Sequence, residues 1–188
     1  HAATNYWNGA GTGWDSTSNW STASGATTPN PSNVPGLYDD VIFNISTLNS
    51  AQTVNLNTNQ AARSLTFANT GTTTLLGNGG AGYTLTKGWG GISISTGAGT
   101  VTFGDGTPAN DVFITLISGH RAWANNSASA FTINNSAPSL TRATGSTLAF
   151  NQTGTGAFSM STTVLPNTNS IIGPWASWGT GTNTQYAF

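Results

Sequence analysis

The sequence predicts an all-β chain wound into a right-handed parallel β-helix and closed at its N-terminal end by a tryptophan-bearing cap. Three observations carry that expectation. Helix formers are scarce: Glu is absent, Lys and Arg together number 4 and Met 1, and no window of about 11 residues or more keeps a 3.6-residue apolar period. Short runs of alternating apolar and polar residues recur instead, bounded by Gly, Asn or Ser. Corresponding apolar positions, Val54, Leu65, Leu75, Leu85, Ile94, Phe103 and Phe113, follow one another at intervals of about 9–11 residues.

Residues 1–40 are expected to form a cap and a loop. The stretch YWNGAGTGWDSTSNW (6–20) sets Trp7, Trp14 and Trp20 on a frame of Gly, Ser, Thr and Asn. The terminal coil of a solenoid exposes an apolar core and an unpaired edge, so something bulky must cover it. Trp14 and Trp20, placed just ahead of the first strand, are expected to be that plug rather than a platform for sugars. Residues 24–40 carry Pro29, Pro31 and Pro35, which have no N–H to give a ladder and so mark an irregular loop. Asp39 and Asp40 close it and are expected to cap the turn into the first strand.

Residues 41–170 are expected to be the coils. Their runs are VIFNI (41–45), TVNLN (53–57), RSLTF (63–67), TTTLL (72–76), YTLT (83–86) and GISIS (91–95), followed by TVTF (100–103), DVFITLI (111–117), AFTIN (130–134), STLAF (146–150) and AFSMS (157–161). Alternation points Val54 and Leu56, Leu65 and Phe67, Ile92 and Ile94, Val101 and Phe103, and Phe131 and Ile133 inward. Leu75, Leu85, Leu148 and Phe150 complete the expected core. The alternative fold is a β-sandwich, which predicts longer strands joined by Asn-Gly or Asp-Gly hairpins. Asn, Thr and Ser at the corners suit a coil that turns by about a right angle and bonds its neighbour through side chains. Residues 171–188 read as a C-terminal tail or cap of the same domain.

Composition narrows the function. Charged residues are 5% of the chain, against about 25% in ordinary soluble domains. A formal net charge of −1 gives no field to gather nucleic acid or an anionic membrane. No apolar run approaches the ~18 residues of a membrane span. Cysteine is absent, which argues against a small disulfide-stapled domain and fits a bacterial protein exported unfolded across an envelope. An extracellular or cell-surface location is therefore expected, and the opening HAAT reads as a mature terminus or a boundary.

Catalysis is disfavoured, with no cofactor expected. Glycoside hydrolysis needs two carboxylates working on one bond, whereas Asp39 and Asp40, if adjacent in a strand, point to opposite faces. Asp105, Asn110 and Asp111 in GDGTPAND (104–111) offer oxygens to Ca²⁺ at no known loop spacing, so an ordinary Asp/Asn turn is expected. His120-Arg121 has no framed nucleophile beside it and reads as a polar corner. No catalytic residue and no metal ligand is assigned. Two functions remain. One is a structural or adhesive surface module, its partner a second copy of itself or neighbouring domains. The other is a carbohydrate-binding module whose exposed rings stack on a polysaccharide. Trp89 in KGWGG and Trp178 in ASWGTG are the candidate exposed rings and ligand contacts, while Trp123 has a strand-like position. Thr runs such as TTTLL and SIST are too irregular in sequence for an ice-ordering lattice.

The order of these motifs resembles the bacterial autotransporter-associated β-strand repeat proteins. The features are Trp14, the Asn19-Trp20 pair, a turn before the Ile42-Phe43 strand, AARSLTF (61–67) and Gly90-Gly91-Ile92. They continue through HRAWANNSASAFTINN (120–135) to IIGPWASWGTGTNTQYAF (171–188). The resemblance implies a parallel β-helix, export and no enzymatic activity. The sequence departs from the family in having few Gly-Gly-Leu-Thr-Lys type repeats and in being shorter than its members. It is therefore expected to be either one segment of a longer surface protein or a short free-standing relative, with no segment here expected to build the family's membrane-anchoring barrel.

Overall fold

The computed structural model describes residues 2–45, 49–160, 175–180 and 183–186. The first strands are β1 (Thr4–Trp7), β2 (Trp20–Ser21), β3 (Asp40–Phe43), β4 (Gln52–Asn55), β5 (Gln60–Ala62) and β6 (Ser64–Phe67). Next come β7 (Thr73–Leu76), β8 (Tyr83–Lys87), β9 (Ile92–Ile94), β10 (Val101–Phe103), β11 (Val112–Leu116) and β12 (Gly119–Asn125). The last are β13 (Phe131–Ile133), β14 (Leu140–Arg142), β15 (Ser146–Gln152), β16 (Phe158–Met160), β17 (Ala176–Thr180) and β18 (Asn183–Tyr186). Helix amounts to about 4%, with short 3₁₀ turns at Thr17–Asn19 and Pro108–Asn110.

These strands stack into a parallel β-solenoid of about five turns, so the sandwich alternative is set aside. Each full coil visits three sheets in turn. Sheet A runs β2-β1-β3-β6-β9-β12-β15-β17-β18, sheet B runs β4-β7-β10-β13-β16, and sheet C runs β5-β8-β11-β14. Among the described residues every pairing between coils is parallel, and only β1–β2 and β17–β18, at the two ends of sheet A, are antiparallel. The N-terminal residues thus do more than cover the end, since β1 pairs in parallel with β3 and forms the first rung of sheet A. Residues 161–174, which hold the end of the AFSMS run and the Gly-Pro of the tail motif, lie outside the described residues, as do 46–48.

All fourteen side chains expected in the core are buried. Aromatic rings link the coils along the axis: Phe43 stacks on Phe67 at 4.7 Å and 8°, and Phe67, Phe103, Phe131 and Phe158 follow at centroid distances of 6.2, 5.2 and 5.7 Å. Phe113 breaks the expected series. In β11 the inward residues are Val112, Ile114 and Leu116, and Phe113 lies half-buried on the outer face. That run is apolar on both faces, so alternation alone leaves its phase open.

Polar side chains bond coil to coil at the corners and on the outer faces. Asn57 Nδ2 donates to Asp15 Oδ1 at 2.8 Å, and Asn78 Nδ2 donates to Asn57 Oδ1 at 2.9 Å. Both asparagines have positive φ, 60° and 65°, a conformation this residue type tolerates better than most. On sheet C the Thr115 and Thr141 hydroxyls meet at 2.8 Å.

Two cations are inside. Arg121, inward on β12, donates from Nε to Gly88 O at 2.6 Å, from Nη1 to Gly119 O at 3.1 Å and Ser146 Oγ at 3.2 Å, and from Nη2 to Ser118 O at 3.2 Å. It ties successive coils together at the corner between sheets C and A. Lys87, inward at the end of β8 between Ala62 and Leu116, reaches a single acceptor, Ala62 O, at 3.4 Å. Burial pushes its pKa well below the ordinary 10.5; Asp40 pulls the other way and Arg121 adds to the lowering. The unfolded chain therefore binds this proton more readily than the folded one, and stability rises with pH from the depressed folded pKa up to about 10.5. Lys87→Met is expected to raise stability near neutrality by about 2 kcal/mol and to flatten that rise, as read from denaturant midpoints across the alkaline range. An unchanged midpoint and slope would show that the amine is solvated.

Candidate functional site

Along the edge where the chain enters sheet A, three successive turns, two of them corners between sheets C and A, build a cleft. The first is the turn 36–39 that enters β3, which carries Tyr38. The second is Arg63, between β5 and β6. The third, residues 88–91 between β8 and β9, carries Trp89. Together with Ala2, Gly36 and Leu37 they line an open cleft of about 480 Å³. Tyr38 is 57% exposed and Trp89 54%, and the two rings touch with centroids 5.7 Å apart and planes 31° from parallel.

Both rings stand on fixed backbone. The Tyr38 turn is closed by Asp39 N–H donating to Gly36 O at 2.9 Å. The Asp39 carboxylate accepts from Gly36 N at 2.9 Å and Ala3 N at 2.8 Å, and Arg63 N donates to Asp39 O at 2.7 Å. The Trp89 corner is held by Gly88 N–H donating to Ala62 O at 2.9 Å and by Arg121 on Gly88 O. Gly88 is required: a Cβ there would run into the backbone of Leu37 and Arg63. Gly119, at φ +114°, lies under the indole, where a Cβ would come within 3.2 Å of Trp89 Cδ1.

The cleft's charges are largely spoken for. Arg63 donates from Nε to Asp40 Oδ1 at 2.8 Å and from Nη2 to Asp40 Oδ2, and Ser64 Oγ also bonds that carboxylate. The Arg63 hydrogen bond holds the Asp40 carboxyl below its ordinary range against the opposing effect of burial, with Ser64 helping. Arg63 Nη1 has no partner among the described residues.

The other residues singled out in the sequence are dispersed. Trp14 and Trp20 are fully buried: Trp20 sits between Trp7 at 5.0 Å and Trp14 at 4.9 Å, both edge-on, and its Nε1 donates to Trp14 O at 2.8 Å. Trp123 is in the core. The expectation that Trp178 is an exposed ring is corrected: it is half-buried against Phe150 at 6.1 Å and Phe158 at 5.4 Å, because β17 adds a rung to sheet A. Asp105 accepts from Thr107 and Asn110, while Asp111 accepts from Ser136 N and Oγ in the next coil. The two carboxylates thus serve separate turns. His120 and Arg121 lie within β12 rather than at a corner. They point to opposite faces, and His120 Nδ1 shares a 2.7 Å hydrogen bond with Thr147 Oγ1.

Sequence reasoning found Trp89 through its flanking glycines. It missed Tyr38 and Arg63, which come beside Trp89 only through the coil register. Compared with protein-family models, with curated proteins and with solved structures, the chain matches none.

Proposed function

We propose that this chain is a non-enzymatic structural and adhesive module of an exported bacterial surface protein, related in kind to the autotransporter-associated repeat proteins, and that its rod spaces and presents material outside the cell. The observation that carries this reading is the use made of the carboxylates. Asp15 anchors the asparagine ladder, Asp39 closes a turn, Asp40 pairs with Arg63, and Asp105 and Asp111 hold loops. Each carboxylate is taken up in a structural hydrogen bond, which supports a scaffold reading over acid–base hydrolysis. Four of the seven tryptophans are core residues, which supports a scaffold over a multi-ring sugar platform.

Beads coated with the protein test it. They should be retained on polysaccharide-coated surfaces or on surfaces carrying a second copy of the chain, and the same incubations should release no new reducing ends or unsaturated sugars. Released product would overturn the non-enzymatic reading, and beads retained nowhere would overturn the adhesive one. No helix among the described residues is long and apolar enough to cross a membrane.

A further inference from the structure

We infer that the Tyr38–Arg63–Trp89 cleft is a binding site for a neutral polysaccharide, recognised through the apolar face of its pyranose rings. The inference rests on the adhesive reading and gives it a ligand class. Tyr38 and Trp89 are the exposed large hydrophobic side chains among the described residues, and they are in contact with each other. A protein that buries Trp7, Trp14, Trp20 and Trp123 completely leaves these two rings in water at one place, beside a concavity. They are mounted rather than loose: Tyr38 on a turn with four hydrogen bonds, Trp89 on a corner clamped by Ala62 O and Arg121 and floored by Gly119. Rings fixed before binding lose little freedom on contact with a ligand.

The shape and polarity of the cleft select the occupant. The two rings, with centroids 5.7 Å apart and planes 31° from parallel, make one tilted apolar ledge beside the cleft. A pyranose with equatorial hydroxyls presents a flat C–H face that stacks on such a ledge, while its hydroxyls reach outward to the rim. The rim offers both kinds of partner. Asp39 oxygens each accept one backbone N–H and keep a lone pair for a hydroxyl, and Arg63 Nη1, without a partner among the described residues, can donate to one. The cleft is open rather than enclosed, about 480 Å³, which suits a chain that lies along the surface. Charge argues for a neutral sugar: Asp40 already neutralises Arg63, so Asp39 leaves the cleft slightly negative and repels a uronate.

Cellotetraose and chitotetraose are the probes, titrated against tryptophan fluorescence and by calorimetry, with tetragalacturonate and a proline-rich peptide as competitors for the same ledge. Neutral tetrasaccharides should bind and shift the emission. Trp89→Ala and Tyr38→Ala should each weaken binding about tenfold or more while leaving the melting temperature near that of the parent, since both rings are on the surface. Gly119→Ala, which pushes on the indole, should weaken binding without removing a ring. Absence of neutral-sugar binding at millimolar concentration, undiminished binding by Trp89→Ala, or tighter binding of the uronate or the peptide would each overturn the inference. Beads carrying Trp89→Ala separate the two readings. If they are still retained while the parent binds no tetrasaccharide, the cleft inference falls and the surface-module reading stands. If the parent binds tetrasaccharide through Trp89 but its beads are retained nowhere, the cleft inference stands and adhesion falls.

Discussion

Trp20→Ala is expected to lower stability by about 3–5 kcal/mol, the loss that follows deletion of a large buried ring whose surroundings cannot collapse. Trp20 is fully buried between Trp7, Trp14 and Phe43, and β1 and β2, which hold it, form the end of sheet A. Removing the indole opens a cavity beside the first rung and orphans the Trp14 carbonyl that accepts from its Nε1. Urea unfolding measures the loss, and Trp178→Ala is the control. Trp178 is half-buried at the other end of sheet A, so its loss should be clearly smaller. Binding of cellotetraose should be the same in Trp20→Ala as in the parent at temperatures where both are folded. A variant that folds with parental stability yet no longer binds polysaccharide would make Trp20 a sugar contact and end the plug reading.

Phe67→Ala is expected to cost a similar amount, about 3–5 kcal/mol, for a different reason. Phe67 is fully buried between Phe43, stacked at 4.7 Å, and Phe103 at 6.2 Å. Coils touch only their neighbours, so stability in such an array is carried by interfaces between adjacent units. Emptying this position weakens two interfaces at once and should separate unfolding of the N-terminal coils from the rest, seen as a broadened urea transition with a reduced apparent m-value. A loss under about 1 kcal/mol would mean that the neighbouring rings close the gap.

The strands easiest to read in the sequence were those whose inward face is aliphatic or aromatic and whose outward face is polar, such as Leu65 and Phe67 against Thr66. The unread ones hide for a physical reason. In β12 the inward residues are Arg121, Trp123 and Asn125, and in β5 they are Gln60 and Ala62. Partners in the same and in adjacent coils satisfy these polar groups, Leu56 O and Thr58 Oγ1 for Gln60, Gly88 O for Arg121 and Gly156 O for Asn125. Apolar alternation is therefore not needed there, and a pattern based on it sees a corner. Lys87 escaped notice because a lysine ending a run looks like a surface residue. Within the cleft, Trp89 was legible from KGWGG, but Tyr38 is 51 residues away in sequence, and only the stacking register brings the two rings together. Proline and glycine marked the loop that carries Tyr38 without saying where it lands.

The stacking register also separates the contour of the chain from the length of the rod. Val41 pairs with Leu65, 24 residues on; Leu65 with Ile92, 27 on; Ile92 with Trp123, 31 on; Trp123 with Phe150, 27 on; and Phe150 with Trp178, 28 on. Yet each step advances the rod by one strand spacing, about 4.8 Å. The surplus is spent sideways, in loops such as 77–82 and 104–111, while the inward positions stay in line. Coil number alone therefore sets the reach of this molecule, as a ruler graduated in rungs. Residues added at a corner become an appendage hung from a fixed mark, so a guest segment spliced at 105–107 would be displayed at a known height without moving anything above or below it.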